Sequence, residues 1–180
     1  MKGAVFIAFN QMVEEQVGVD VWERLLDEVN PASGGIYISI EDFPDEELFA
    51  LVGKLSEISG QPVPVLVESF GCFLFDFLNN KYPLFSESEK DFFSFLESID
   101  GVIHKEVRKL YDNANLPELE CDRESNSIMV MRYRSPRKLC TLAEGLIRGA
   151  AKYYSVEYSL DHLTCQHKDD QCCTFRIELK

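Results

Sequence analysis

Two groups of side chains in this 180-residue chain have the types and spacing for chemistry. The first joins His104, in DGVIHKEVRKLYDNANLP, to Tyr133, Ser135 and Arg137, in RYRSPRKL. His104 follows Val102 and Ile103 and precedes Val107 and Leu110, which sets its imidazole on an apolar helix face. A histidine in that position either bonds a nearby carbonyl or offers a neutral nitrogen to a metal. Tyr133, Ser135 and Arg137 alternate at period two, so an extended backbone puts two hydroxyls and a guanidinium fork on one face. Such a trio is shaped to grip carboxylates, although an edge strand with a polar face has the same spacing.

The second group is C-terminal. Cys140 opens a helical pattern, and HLTCQHKDDQCC then brings His162, Cys165, His167, Cys172 and Cys173. A His-x-x-Cys pair with a further cysteine eight residues on, across a polar turn, fits two strands presenting imidazole and thiolates to one tetrahedral ion. Buried free thiols beside a surface histidine are the other reading. Cys72 and Cys121 stand alone, so the six cysteines look less like a secreted disulfide framework than a local site in a reducing compartment.

These groups need elements to hold them. Helical spacing runs from Gly3 to about Gln16 and again through VDVWERLLDEVNP to Asn30 and Pro31. After Gly34 and Gly35, IYISI is a short extended run; PDEELFALVGKLSEISG is a third helix, with acids at its start and Gly60 past its end. PVLVESFGCFLFDFLNN is apolar nearly all round, which predicts a helix that is buried or lines a cavity. A fifth helix is expected from about Ser88, through or resuming at His104, to a stop between Asn113 and Pro117. Then the period changes. SIMVMRYRSPR reads as the second half of a hairpin after DRESNS, CTLAEGLIRGAAKYY as a helix, and VEYSLDHLTCQ and CCTFRIELK as strands joined through HKDDQ. The expected class is α+β, with a helical N-terminal subdomain, approximately 1–65, packed on an α+β subdomain, 66–180, that holds a C-terminal antiparallel sheet with helices.

Composition narrows the function. With 46% apolar and 12% aromatic residues the chain is expected to fold, and 18 basic against 31 acidic residues, a net charge of −13, argues against nucleic acid and anionic membrane surfaces as partners. The start MKGAVFIAFNQMVEEQ lacks a cleavage site, and no apolar run approaches the ~20 residues that span a bilayer. A cytoplasmic location is expected. An aromatic cavity, one helix-borne imidazole and a carboxylate clamp together suit a haem lying between the two subdomains, whose ring wants apolar walls and whose propionates want donors.

The chain also resembles a known family over essentially its whole length. MKG at the start, His104 in VIHKEVRKLY, Pro117 thirteen residues later, YRSPR and EGLIRGAAKYY are similar in order and spacing to the haem-nitric oxide/oxygen binding (H-NOX) family, related to the haem domain of soluble guanylate cyclase. The resemblance implies haem b, with His104 as the proximal iron ligand, Tyr133, Ser135 and Arg137 as the propionate clamp, and Pro117 packed against the porphyrin. Members that hold O₂ place a tyrosine five residues beyond the clamp arginine, where this chain has Leu142. With Val5, Phe9 and Leu74 as the other expected distal-pocket residues, no side chain there donates a hydrogen bond, which favours nitric oxide, and carbon monoxide in vitro, over O₂.

The implied mechanism is that nitric oxide weakens or breaks the bond from iron to His104 and so shifts the packing of the two halves. No kinase, cyclase or phosphodiesterase segment is recognisable, and similar bacterial members act on a separate histidine kinase or cyclic-di-GMP enzyme. Members with the same cysteine pattern hold zinc, and the match falls on Cys140, His162, Cys165 and Cys173. Cys172 competes with Cys173, because neighbours on a strand face opposite sides, and His167 is a spare. A non-enzymatic haem sensor is thus the expectation. A zinc–thiolate redox sensor is the main alternative, and a peroxidase-type enzyme is weaker for want of a distal histidine or arginine.

Overall fold

The computed structural model describes residues 1–111 and 115–180. The two expected N-terminal helices are α1 (Gly3–Gln16) and α2 (Val19–Val29), and α2 stops where Asn30 turns left-handed, at φ 48°, ahead of Pro31. The IYISI run joins no sheet. Ser39 and Glu41 carbonyls accept from the Ala4 and Gly3 amides at 3.1 and 2.8 Å, so the run pins the start of α1 while Ile36, Ile38 and Ile40 stay exposed. Helix α3 (Asp45–Ser59) opens on Asp45, Glu46 and Glu47 and ends at Gly60; α4 (Val63–Lys81) follows, with Pro64 in its first turn, where a missing N–H costs nothing.

The expected fifth helix is divided. A short α5 (Leu84–Glu87) precedes α6 (Phe92–Ser98), which starts later than expected because the Asp91 side chain accepts from the Ser94 amide at 2.7 Å and caps it. A π-helical turn, Ile99–His104, then leads into α7 (Lys105–Leu110). The expected stop from Asn113 to Pro117 begins in 112–114, outside the described residues.

The C-terminal half forms a four-stranded antiparallel sheet in the order β1-β2-β4-β3: β1 (Glu118–Arg123), β2 (Ile128–Arg134), β3 (Tyr158–Thr164) and β4 (Cys173–Leu179). Helix α8 (Cys140–Tyr153) connects β2 to β3. The period-two residues Met129, Met131 and Tyr133 of β2, and Cys173, Phe175 and Ile177 of β4, are buried against Phe92, Phe93 and Leu96 of α6 and Ala143, Ile147 and Ala150 of α8. The α+β class read from the sequence is the observed architecture.

A second core of Phe6, Phe9, Met12, Trp22, Leu25, Leu51 and Leu55 lies within α1 to α3. Helix α4 serves both cores: Leu66, Phe70 and Leu74 face the helical one and Phe75 the sheet one. It lies directly on α8. A Cβ on Gly145 would strike the Glu68 carbonyl, and one on Gly71 the Leu142 carbonyl, so only glycine permits this backbone-to-backbone approach. Among the described residues no single helix is long and apolar enough to cross a membrane.

Candidate functional site

His104 closes the π-helical turn, a geometry that adds a residue to one helical turn and re-aims the side chains after it. Its side chain is 12% exposed, and Nδ1 lies 3.2 Å from Asp100 Oδ1, which also accepts from Arg108 Nη2 at 3.3 Å. The backbone of Pro117 meets the same ring. Burial, outweighing the pull of Asp100, holds the imidazole below its ordinary pKa of 6.5, so it is neutral at pH 7. Neutral imidazole with a carboxylate behind one nitrogen is the form that ligates metals through the other.

Tyr133, Ser135 and Arg137 are not carried on one extended strand, which corrects the period-two expectation. Strand β2 ends at Arg134, and a turn follows in which the Ser135 carbonyl accepts from the Lys138 amide at 3.0 Å and Ser135 Oγ from the Arg137 amide at 3.2 Å. The physical reason is Pro136, which has no N–H to donate to a ladder and fixes φ for a turn, helped by Lys138 at φ 52°. Tyr133 and Ser135 are nonetheless buried together at the end of the sheet. The Arg137 guanidinium reaches away from them, donating through Nε to Asp45 and through Nη1 to the Asn115 carbonyl. Asp45 also stands 2.8 Å from the Met1 ammonium. Burial resists its ionisation, but the two cations outweigh it and hold the carboxyl below its ordinary value. Among the described residues nothing takes Arg137 Nη2, which leaves that edge of the fork for a further acceptor.

The segment 115–117 is thus held at Asn115 by Arg137. Of the expected distal residues, Phe9 and Leu74 are buried in the helical core, and Val5 and Leu142 pack against its edge. An apolar cavity of about 190 Å³ lies among Met1, Val52, Phe70, Leu139 and Leu142. The donor set suits haem: one largely covered imidazole, buried hydroxyls, a partly free guanidinium fork and apolar walls.

The C-terminal group does converge. One ligand atom each from Cys140, His162, Cys165 and Cys173 lies within 4.8 Å of all the others. Two irregularities achieve this: the β3–β4 register shifts between His162 and Thr164, and the strand ends at Thr164, so His162 and Cys165 reach one side. Cys173 is fully buried, and its Sγ accepts from the Gln166 amide at 3.3 Å. Burial, with the neighbouring thiols, pushes its pKa up to about 12, and burial also raises Cys140. Cys172 turns to Thr174 Oγ1 at 3.8 Å, and His167 Nε2 to the Lys138 carbonyl at 2.7 Å. The two groups also touch each other: Gln166 Oε1 accepts from the Ser135 amide at 3.1 Å while its own amide bonds Cys173.

Four partners were not legible as such. Asp100, four residues before His104, carried a usable helical-spacing signal, as did Glu144, four residues after Cys140. Asp45 read only as a helix-start acid, because its partner Arg137 is 92 residues away, and Gln166 carried no signal beyond adjacency to Cys165.

Comparisons with known proteins identify the family and the fold. The family model described as Haem-NO-binding matches residues 2–162. An H-NOX protein from S. oneidensis, solved in the Fe(II)NO ligation state, is 36% identical, with a TM-score of 0.93 over 100% of this chain and 99% of that one. The Fe(II) unliganded H-NOX protein from K. algicida is 26% identical, with a TM-score of 0.87 over 100% and 97%. Soluble guanylate cyclase gcy-35 of Caenorhabditis elegans is 25% identical over 84% of this chain. The chain spans about a fifth to a quarter of the length of the two curated cyclases it matches, 23% of gcy-35 and 20% of the Drosophila melanogaster cyclase 89Da.

Proposed function

The chain belongs to the Haem-NO-binding (H-NOX) family of haem-binding gas sensor domains, and we propose that it is a nitric oxide sensor in which haem b is held by His104 and by Tyr133, Ser135 and Arg137. The observation that carries this reading is His104, a largely covered imidazole backed by Asp100 at 3.2 Å at the end of a π-helical turn. Haem, when bound, supplies a ferrous iron that takes a diatomic gas. His104 would hold the iron through Nε2 while Asp100 keeps Nδ1 occupied. Arg137 would give its Nη2 edge to a propionate, and Tyr133 and Ser135 their hydroxyls. Leu142, Val5, Phe9 and Leu74 would exclude water and offer no donor to bound O₂, which selects nitric oxide.

The signalling element is the segment from the π-helical turn through α7. Once free of the iron, His104 would allow that turn to relax towards α geometry, and the change would reach the helical half through Asn115, Arg137 and Asp45. We read the chain as one module of two subdomains, about 1–65 and 66–180, that is not itself an enzyme. Its partner would be a separate histidine kinase or cyclic-di-GMP enzyme in the cytoplasm of a bacterium.

A second metal reading rests on the converging C-terminal cluster: zinc on Cys140, His162, Cys165 and Cys173, a closed tetrahedral set suited to a structural ion. Cys140 Sγ and Cys165 Sγ, 3.9 Å apart, favour the alternative of a redox-sensitive zinc–thiolate centre. Absorption spectra of the reduced protein under nitric oxide, carbon monoxide and O₂ test the main reading. A haem spectrum that responds to nitric oxide and carbon monoxide but not to air is expected; colourless protein unable to take up added haem would overturn it.

A further inference from the structure

The four ligands of the C-terminal cluster leave Glu144 unexplained. It lies on α8 one helical turn after Cys140, and its Oε1 is 2.7 Å from His162 Nδ1. The two side chains are 22% and 25% exposed, His162 being a strand residue whose backbone is open to solvent. Glu144 is not needed by the nearby cation either, because Arg148, one turn further along α8, is paired with Glu68. The His162 ring also rests against Phe175, with centroids 4.7 Å apart, so contacts on two sides fix its plane.

We propose that Glu144 is a positioning residue of the zinc site: its carboxylate, at ion-pair distance from His162 Nδ1, takes the Nδ1–H when the ion is bound and so presents Nε2 to the ion shared with Cys140, Cys165 and Cys173. This inference rests on the zinc reading above. A neutral imidazole carries one N–H, and fixing it on Nδ1 leaves Nε2 as the only lone pair available to a metal. The carboxylate also holds the ring in the orientation the ion needs. One face of α8 thereby serves the site twice, through the Cys140 thiolate and through the orientation of a ligand on β3. The other carboxylate next to His162, Asp161, cannot take this part, because adjacent strand residues face opposite sides.

The test uses the full-length, haem-loaded protein. Zinc content is measured by metal analysis, zinc affinity by competition with a chromogenic chelator, and the state of the His162 ring by nitrogen NMR of the labelled imidazole. Wild-type protein is expected to hold zinc with His162 bound through Nε2 and protonated at Nδ1. Glu144→Ala is expected to weaken zinc binding by about 10–100-fold, Glu144→Gln, which keeps an acceptor without the charge, by less, and Asp161→Ala not at all. The haem spectrum of the same samples should not move. Wild-type zinc affinity in Glu144→Ala, or in Glu144→Gln should the alanine variant not fold, would overturn the proposal, as would His162 bound through Nδ1. Wild-type protein that neither contains nor takes up zinc would overturn the zinc reading itself and this inference with it, an outcome that metal analysis identifies before any variant is made.

Discussion

Asp45 ties the helical half to the sheet half through Arg137, and removing it tests whether that tie is mechanical. At a contact of about 3 Å and an effective dielectric near 20, a carboxylate and a guanidinium attract by roughly 5–6 kcal/mol, most of which is returned as desolvation. Exposed pairs keep about 0.2–1 kcal/mol and breaking a fully buried one costs about 3–5. Arg137 and Asp45 are 17% and 23% exposed, between those limits. Asp45→Ala should therefore cost about 2 kcal/mol, a fall of about 4–8 °C in Tm for a domain of this size. Thermal unfolding of Asp45→Ala, Arg137→Ala and the double variant, with and without haem, measures it. The pair is expected to couple by about 1 kcal/mol or more. The pH dependence has a definite sign. The folded carboxyl lies below its ordinary 3.8, so its stabilisation is full above that value and is lost as pH falls through the lowered one. The gap between wild type and Asp45→Ala should then be constant near neutrality and close below about pH 4. Single and double losses that simply add, within about 0.3–0.5 kcal/mol, would show the two side chains to be independent and refute the tie.

Four other outcomes are expected. His104→Gly should lose the proximal iron–nitrogen vibration and recover a five-coordinate spectrum on addition of imidazole; an unchanged vibration would remove His104 from the iron. Reduced wild-type protein should form nitric oxide and carbon monoxide complexes and no stable O₂ complex, so a persistent oxygenated spectrum in air would refute selection by Leu142 and its neighbours. Zinc, about one per chain by metal analysis, should fall sharply in Cys173→Ala and little in Cys172→Ala or His167→Ala, and the reverse pattern would put the ligand on the other strand face. Gly145→Ala should cost about 1–3 kcal/mol in urea unfolding, because its methyl meets the Glu68 carbonyl; wild-type stability would show that α4 and α8 can part freely.

The sequence by itself determined whatever depends on near neighbours along the chain. Helical and period-two patterns placed α1 to α4, α8 and the strands β2 to β4, because burying one face of a regular element imposes its period on the residues, while no pattern set bounds for β1. The same locality gave His104 its apolar helix face and allowed only one of Cys172 and Cys173 to face the site, since alternate strand residues point oppositely; the resemblance named Cys173. Where a local hydrogen bond competed with the pattern, the pattern misled: Asp91 delays α6, and Pro136 ends the strand at Arg134 and hands Ser135 and Arg137 to a turn. Tertiary structure alone decided the pairings across distance. Arg137 finds Asp45 from 92 residues away, His162 finds Glu144 across the gap between β3 and α8, and Gln166 joins Ser135 to Cys173. An ion pair or hydrogen bond works over a few ångströms of space and leaves no period in the chain, so which donor meets which acceptor is fixed only when α4 and α8 pack and bring the two halves together.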